Sequence, residues 1–492
     1  MVSGLVTEAA PVLIPAPHVA GTGDGTGPWR TPGAVALVAC YELGHQPLSL
    51  AWPLAALRRA GFDPVAVDTA VEDLADETIL AARFVGIAVP MHTALRLGIR
   101  VARRVRRLNP DAHVCFYGLY ATLNAGHLLA GAGDTVISGE VERPLVALVE
   151  ALETGREPSS VAGIGTVDRP APPVIERVSP GLPDRRGLPP VRSYAGLELA
   201  ERGTIVPAGS VEATRGCHHT CLHCPITPIY GGKITVVPRE VVLADARAQV
   251  AAGARHLTFG DPDFFNAPGH GLRICRELRT EFPWLSFDVT IKVEHLIQHV
   301  RYLPELAALG CAFIVSAVES INDEVLTRLD KGHTGTDVVL ALRNLDGAGL
   351  SMRPSLLPFT PWETLDSYRD LLRFIVEEGL VSQVDPIMLA IRLLVPPGSA
   401  LLDEPGAKGW VGDLDADAFT HRWNHPDPRM DRLWERVSAI VERDAAAGTA
   451  VEETFTHIWA ASHEVAGDPV AETPRARANR RPSPRLTEQW FC

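Results

Sequence analysis

The chain has 492 residues, 46% of them hydrophobic and 21% charged, with 46 Lys+Arg against 59 Asp+Glu and a formal net charge of −13. That length exceeds what one hydrophobic core fills and calls for two or three domains, and the acidic balance disfavours nucleic acid or an anionic membrane surface as partner. No apolar run approaches the roughly 18 to 20 residues of a membrane span, and residues 1–30 lack a basic segment ahead of their short apolar stretch, so the expectation is a cytoplasmic protein that neither crosses nor binds a membrane.

Residues 1–30, rich in Gly, Pro, Thr and Ala, have no period of 2 or 3.6 and read as a mobile arm. Residues 31–155 then alternate. Ala34 to Cys40 reads as a buried strand, Pro47 to Ala60 as an amphipathic helix, Pro64 to Asp68 as a strand, Phe84 to Val89 as a strand and Ala94 to Leu108 as a basic-faced helix. A strand at His113 to Tyr117, a short helix at Leu123 to Ala132, a strand at Thr135 to Ser138 and a helix at Arg143 to Leu152 complete the unit. Near-continuous apolar strands separated by helices predict a doubly wound, Rossmann-like parallel sheet with ligands at the carboxyl ends of its strands. The candidate loops are Tyr41 to Gln46, Pro90 to Thr93, Gly118 to Thr122 and Gly139 to Glu142.

Residues 156–204 carry many Pro, Gly, Ser and Arg residues and read as a linker or wrapping segment. A second alternation spans residues 205–400, with strands at Ser210 to Thr214, His256 to Phe259, Phe287 to Lys292, Ala312 to Ala317, Ser351 to Leu357 and Ile387 to Leu394, each followed by helical sequence except the last. This predicts a partial (β/α)6 TIM-like barrel with chemistry at the C-terminal mouth of its strands. Residues 401–492 read as a helical and irregular extension whose basic run, Arg475 to Arg485, is expected to be solvated.

Of eight cysteines, Cys217, Cys221 and Cys224 fall within eight residues, just after the first barrel strand. Cys40, Cys115, Cys275 and Cys311 sit singly in apolar patterns and read as buried small hydrophobes. Three clustered thiolates can hold one metal centre, and a cubic iron-sulfur cluster on three protein sulfurs has one iron open to a substrate or cofactor. His218, His219 and His223 lie between the cysteines and invite a zinc module that merely staples a scaffold or interaction protein, the competing reading from another class; the absence of a second Cys-x-x-Cys argues against it, and the histidines read as shaping the loop over the cluster.

The Cys-x-x-x-Cys-x-x-Cys spacing in this setting resembles the radical S-adenosylmethionine superfamily. The resemblance implies that Cys217, Cys221 and Cys224 bind a 4Fe-4S cluster whose open iron holds S-adenosylmethionine, which is then reductively cleaved to a 5′-deoxyadenosyl radical. It further implies that Asp261 and Asp263 meet the amino group of S-adenosylmethionine and Ser316 and Glu319 its ribose and carboxylate, while Arg353 and Arg392 pair with a carboxylate. Pro396 to Gly398 would lie near the adenine, and Lys292 and Glu294 either face the barrel interior or form an exposed ion pair. The partners implied are an external electron donor such as ferredoxin or flavodoxin and a small-molecule or peptide substrate, with no nucleic acid and no membrane.

A doubly wound domain ahead of such a barrel looks like the cobalamin-binding class of this superfamily; Pro47 to Gly61, Phe116 to Ala121 and Ile137 to Glu140 carry the likeness. Cobalamin is then expected to assist methyl transfer or rearrangement. The loop Tyr41 to Gln46 lacks the Asp-x-His-x-x-Gly motif of the classical domain, which keeps open a domain that has lost cobalamin; His45 is a candidate axial ligand but reads rather as a helix-start or surface histidine. The ending Pro484 to Cys492 looks like the start of the tail of radical proteins that close on Cys-Cys or Cys-selenocysteine followed by Ala-Glu-Pro, as if the reading frame continued past Cys492.

Overall fold

Each strand of the first unit is an apolar run with both faces covered, and this is why the unit forms a parallel sheet. In the computed structural model, which describes residues 27–177, 181–199, 203–478, 480 and 482–488, β1 (Val35–Ala39), β2 (Val65–Asp68), β3 (Phe84–Ala88), β4 (His113–Tyr117) and β5 (Thr135–Ile137) are all parallel, and β6 (Ile164–Gly165) closes one edge antiparallel to β5. Their order is β2-β1-β3-β4-β5-β6, as expected of a doubly wound sheet whose ligand loops share one end. Two of those loops need glycine. Gly118, just after β4, has φ +105° with a Cβ position 3.0 Å from the Val89 backbone, and Gly139, after β5, has φ +88° with a Cβ position that would clash with the Val174 backbone.

The segment 156–204 is more structured than a free linker: it supplies β6, bridges Val174 to Gly139 and then adds β7 (Gly196–Leu199) to the second sheet. That sheet continues through β8 (Thr204–Val211), then leaves for a small hairpin, β9 (Thr214–Gly216) with β10 (Ile234–Val236), that flanks the cysteine loop. It resumes with β11 (His256–Phe259), β12 (Ser286–Thr290), β13 (Cys311–Glu319) and β14 (Met352–Leu356). Strands β8 and β11 to β14 are parallel neighbours, five in all, and the two ends of the sheet do not meet, so the barrel is open. Helices between the strands cover its outer face, two of them opened by Thr334 and Thr364 capping boxes.

The expected sixth strand, Ile387 to Leu394, does not form. Pro386–Leu389 is a 3-10 turn and only Arg392 bridges Phe359; Pro354 and Pro358 remove amide donors from the edge where that strand would add. Beyond it, the hairpin β15 (Leu414–Asp415) and β16 (Thr420–His421) leads into two packed helices, Pro428–Ala447 and Val451–Ala466. No helix among the described residues is long and apolar enough to cross a membrane.

The basic tail is solvated only in part: Arg475 and Arg477 are exposed, whereas Arg480 and Arg485 are partly covered. Arg480 pairs with Asp346 at 2.8 Å and Glu378 at 3.3 Å, and Arg477 with Glu377. These carboxylates sit in or just past the last turns of helices Gly335–Ala348 and Leu365–Glu377, where the helix dipole disfavours negative charge, so the tail arginines neutralise them. The chain then forms β17 (Arg485–Leu486) on the edge of β7, with Arg485 paired to Glu198 at 2.7 Å. Residues 1–26 of the expected arm, and residues 489–492 of the tail stretch that carries the likeness, lie outside the described residues.

The two units are locked at Arg215, in β9. Its guanidinium meets Glu140 at 2.6 Å and Glu142 at 2.7 Å from the first domain and Glu212 at 2.8 Å from its own, and lies 5.0 Å from the ring of Trp52, which itself packs into the barrel's core cluster. Burial pushes the Glu140 and Glu212 carboxyls above the usual range, and Arg215 counters that shift. Arg215→Met is expected to cost about 3–5 kcal/mol in chemical denaturation because it strands buried carboxylates. A chain ended after Arg480 should keep both domains while the Gly196 amide, which donates to Thr487, loses protection in hydrogen exchange.

Candidate metal and cofactor site

Arg215 and Gly216 deliver the chain directly into the cysteine loop. Within that loop Thr227 Oγ1 donates to the Cys221 carbonyl at 2.8 Å, and the Leu222 amide to the Leu329 carbonyl at 3.0 Å, so the loop is tied to itself and to the barrel. Cys217, Cys221 and Cys224 are all free thiols, and all three line one cavity of about 510 Å³. Among the described residues no other cysteine lines it, and Cys40, Cys115, Cys275 and Cys311 are buried elsewhere as the sequence suggested. Burial pushes the Cys224 thiol up to about 11 and raises Cys217 as well. Such sulfurs become thiolates only beside strong positive charge, which a bound metal centre supplies.

The cavity is composite. Leu43, His45 and Leu119 reach it from loops at the carboxyl ends of β1 and β4, the barrel strands form its floor, and Arg485, Leu486 and Glu488 of the tail close one side. Glu488 accepts from the Tyr41 hydroxyl at 2.9 Å, which joins the tail to the first domain. His45 is a neutral imidazole, held near 4 by desolvation, and its buried Nδ1 has no hydrogen-bond partner. A cavity of this size suits a ligand with an apolar body and a few fixed polar contacts.

Asp261 is 2% exposed and accepts from the Ala213 amide at 2.8 Å and Thr214 Oγ1 at 2.6 Å, while burial raises its carboxyl to about 7. Although it lines the cavity, these bonds brace the entry to the cysteine loop. Asp263 caps the turn Phe264–Asn266 through the Phe265 amide and directs its second oxygen at His295 and His219. Burial opposes ionisation of Asp263, but the two imidazoles outweigh it and hold the carboxyl below the usual range.

Glu319, at the end of β13, has φ +62° and meets both Lys331 and His223 at 3.2 Å. Burial alone would raise it, yet these partners hold it at about 2, so it is a fixed negative charge in the cavity wall. Ser316 is fully buried with an unpartnered hydroxyl and is not among the cavity residues. Arg353 lines the cavity, with Nη2 on Asp385 at 2.7 Å and a buried Nη1 that has no partner.

Arg392 lies apart from these groups. It pairs with Asp431 at 2.8 Å, donates to the Trp423 carbonyl and stacks on the Trp423 and Trp434 rings, so its charge holds the C-terminal helices to the barrel and does not line the cavity. Gly398 packs on Leu123 of the first domain. Lys292 lines the cavity and is 7% exposed, with Nζ 3.1 Å from His219 Nδ1 and 3.4 Å from Glu294. The exposed alternative therefore does not describe Lys292.

The local sequence does not single out Lys331, Asp288, His295 or the tail residues. Lys331 follows a helix with no motif around it; Asp288, which lines the cavity and accepts from Thr258 Oγ1 at 2.7 Å, and His295 are lone polar residues in apolar patterns; the tail gives no local sign that it folds back.

The radical SAM superfamily model matches residues 211–375, and the B12 binding domain model matches residues 34–149. The chain is 24% identical over 344 residues to an uncharacterized methyltransferase of Pyrococcus horikoshii, covering 67% of this chain and 72% of that one. It is also 24% identical over 327 residues to the hopanoid C-3 methylase of Methylococcus capsulatus, covering 65% of this chain and 62%, under two thirds, of that enzyme. Among solved structures, the fold is similar to the radical S-adenosylmethionine methyltransferase TsrM from Kitasatospora setae with cobalamin and a 4Fe-4S cluster bound, at TM-score 0.57, 20% identity and coverage of 70% and 73%. It is likewise similar to the cobalamin-dependent S-adenosylmethionine radical enzyme OxsB with aqua-cobalamin bound, at TM-score 0.66, 15% identity and coverage of 88% and 72%. With its cysteine loop inside the matched barrel and its sheet domain matched ahead of it, the chain carries a radical SAM superfamily domain preceded by a B12 binding domain.

Proposed function

We propose that this chain is a cobalamin-using radical S-adenosylmethionine enzyme that transfers a methyl group to a small-molecule or peptide substrate held between its two domains. The observation that carries the reading is that Cys217, Cys221 and Cys224 share one cavity with Leu43, His45 and Leu119, which project from the ligand end of the first sheet. In this reading residues 31–155 seat cobalamin, 205–400 form the catalytic barrel, 156–204 strap the two together and 401–492 complete the wall. When bound, the cluster and S-adenosylmethionine supply radical chemistry and cobalamin a transferable methyl group.

The chain's own residues bind, orient and exclude water. The three thiolates hold the cluster, and Lys331, fixed by Glu319 at 3.2 Å, adds positive charge beside them. The unpartnered Nη1 of Arg353 offers a donor to a ligand carboxylate. Asp261 acts at one remove by bracing the cysteine loop, and Phe259, Phe313, Val315 and Met388 give the cavity its apolar wall. An external one-electron donor of the ferredoxin or flavodoxin kind, and a cytoplasmic setting in which it is reduced, complete the reading.

Anaerobically reconstituted protein is expected to be brown, to carry about four iron atoms per chain, and to cleave S-adenosylmethionine when reduced. Cys217→Ala should abolish that cleavage, and retained cleavage, or colourless protein with a single zinc, overturns the assignment. Cobalamin added to the purified chain should comigrate in gel filtration at one equivalent; free elution of the cofactor would favour a radical enzyme whose first domain recognises substrate instead.

A further inference from the structure

We infer that His219, Asp263 and His295 form a second metal site, separate from the cysteine cluster, that takes one divalent first-row transition ion. The three residues come from the cysteine loop, the loop after β11 and the helix Val293–Gln298, and each directs one ligand atom to a common point, all within 4.8 Å of one another. Asp263 Oδ2 lies 2.7 Å from His295 Nδ1 and 3.6 Å from His219 Nε2. Donors bound at the usual nitrogen and oxygen distances of about 2.0–2.2 Å stand about 3.0–3.4 Å apart, so small side-chain rotations bring the three onto one ion.

Two features separate this cluster from an ordinary ion-pair network. His219 Nε2, His295 Nδ1 and Asp263 Oδ2 are all buried, yet none makes a hydrogen bond of acceptable geometry despite the short separations. The carboxylate and the two imidazoles meet one another at imperfect angles, which offsets only part of their desolvation, and a shared cation supplies the rest. The two rings, 4.6 Å apart between centroids, are tilted by 58° and do not stack.

The surroundings supply outer support. Asp263 Oδ1 accepts from the Phe265 amide at 3.0 Å, which fixes the carboxylate plane. Lys292 Nζ lies 3.1 Å from His219 Nδ1, and Glu294 Oε2 lies 3.6 Å from the same nitrogen. As placed, Lys292 donates to His219 Nδ1 and leaves the ring proton on Nε2; ligation through Nε2 moves that proton to Nδ1 and turns Lys292 to Glu294, 3.4 Å away. Gln298 holds the other oxygen of Glu294 at 2.8 Å. A carboxylate behind a ligating histidine is the usual support of such an ion.

Two imidazoles and a carboxylate favour a single divalent ion, whereas three thiolates favour a softer centre such as an iron-sulfur cluster. His219 and Asp263 line the cavity, so the open coordination positions face it and suit an oxygen of water or of a substrate carbonyl or hydroxyl.

The probe is Co²⁺, added under anaerobic conditions to the full chain carrying Cys217→Ala, Cys221→Ala and Cys224→Ala, where no cluster thiolate can bind it. The expected result is one cobalt per chain after desalting, with visible d–d absorption and no thiolate charge-transfer band. His295→Gln or His219→Gln on this background should abolish binding, and Glu294→Gln should weaken it about 10- to 100-fold. The cluster-loaded wild-type chain, treated identically, should also retain one cobalt, which covers a failure of the cysteine variant to fold. Absence of cobalt from a folded cysteine variant and from wild type, or full cobalt retention by His295→Gln, overturns the site; loss of S-adenosylmethionine cleavage alone bears on the cluster.

Discussion

The architecture turns on one buried guanidinium. Arg215 stands two residues before Cys217 and is surrounded by Glu140, Glu142 and Glu212, two of them from the other domain. Pairing is what makes so much buried carboxylate tolerable, and the same pairing fixes the distance between the ligand end of the first sheet and the cysteine loop. A second arginine repeats the device: Arg185 grips Asp245 through both oxygens and also reaches Gln46 and the Ser210 carbonyl, holding the His45 loop on β8. The cavity between the domains is thus defined by charge pairing at its rim, whereas each domain is held by its own apolar core.

Inside that frame the charges are graded. Asp263 is held below the usual carboxylate range by its contacts with two imidazoles and Glu319 by Lys331 and His223, Asp261 is lifted toward neutrality by burial, and His45 is kept neutral. Fixed opposite charges placed before any ligand arrives are what a site for charged intermediates requires, because they need no reorganisation during reaction. Arg353 and His45 retain a buried polar atom without a partner, and both face the cavity.

Much of this was legible along the chain. The parallel sheet, the open barrel and the cysteine loop rest on local signals: apolar runs buried on both faces, helix periods between them, and ligands only a few residues apart. Arg392 and Arg353 show the limit. Both are arginines in the second half of the barrel, yet one is sandwiched between Trp423 and Trp434 on a segment that never becomes a strand, and the other keeps an unpaired nitrogen at the cavity. The tail shows it again, since Arg480 finds carboxylates at the ends of two helices more than a hundred residues away.

The sequence by itself determined the cysteine loop and its class of chemistry, because three ligands for one centre lie within a single loop and need no distant partner. It also determined the two parallel-sheet units, because burial on both faces is written into each strand. Only the tertiary structure decided which polar residues meet: that Asp263 lies between His219 and His295, that Lys331 stands behind the cysteines, and that Arg485, Leu486 and Glu488 wall the cavity. Those contacts join segments separated by tens to hundreds of residues, and the residues concerned read locally as turn, cap or solvent-facing positions until packing brings them together.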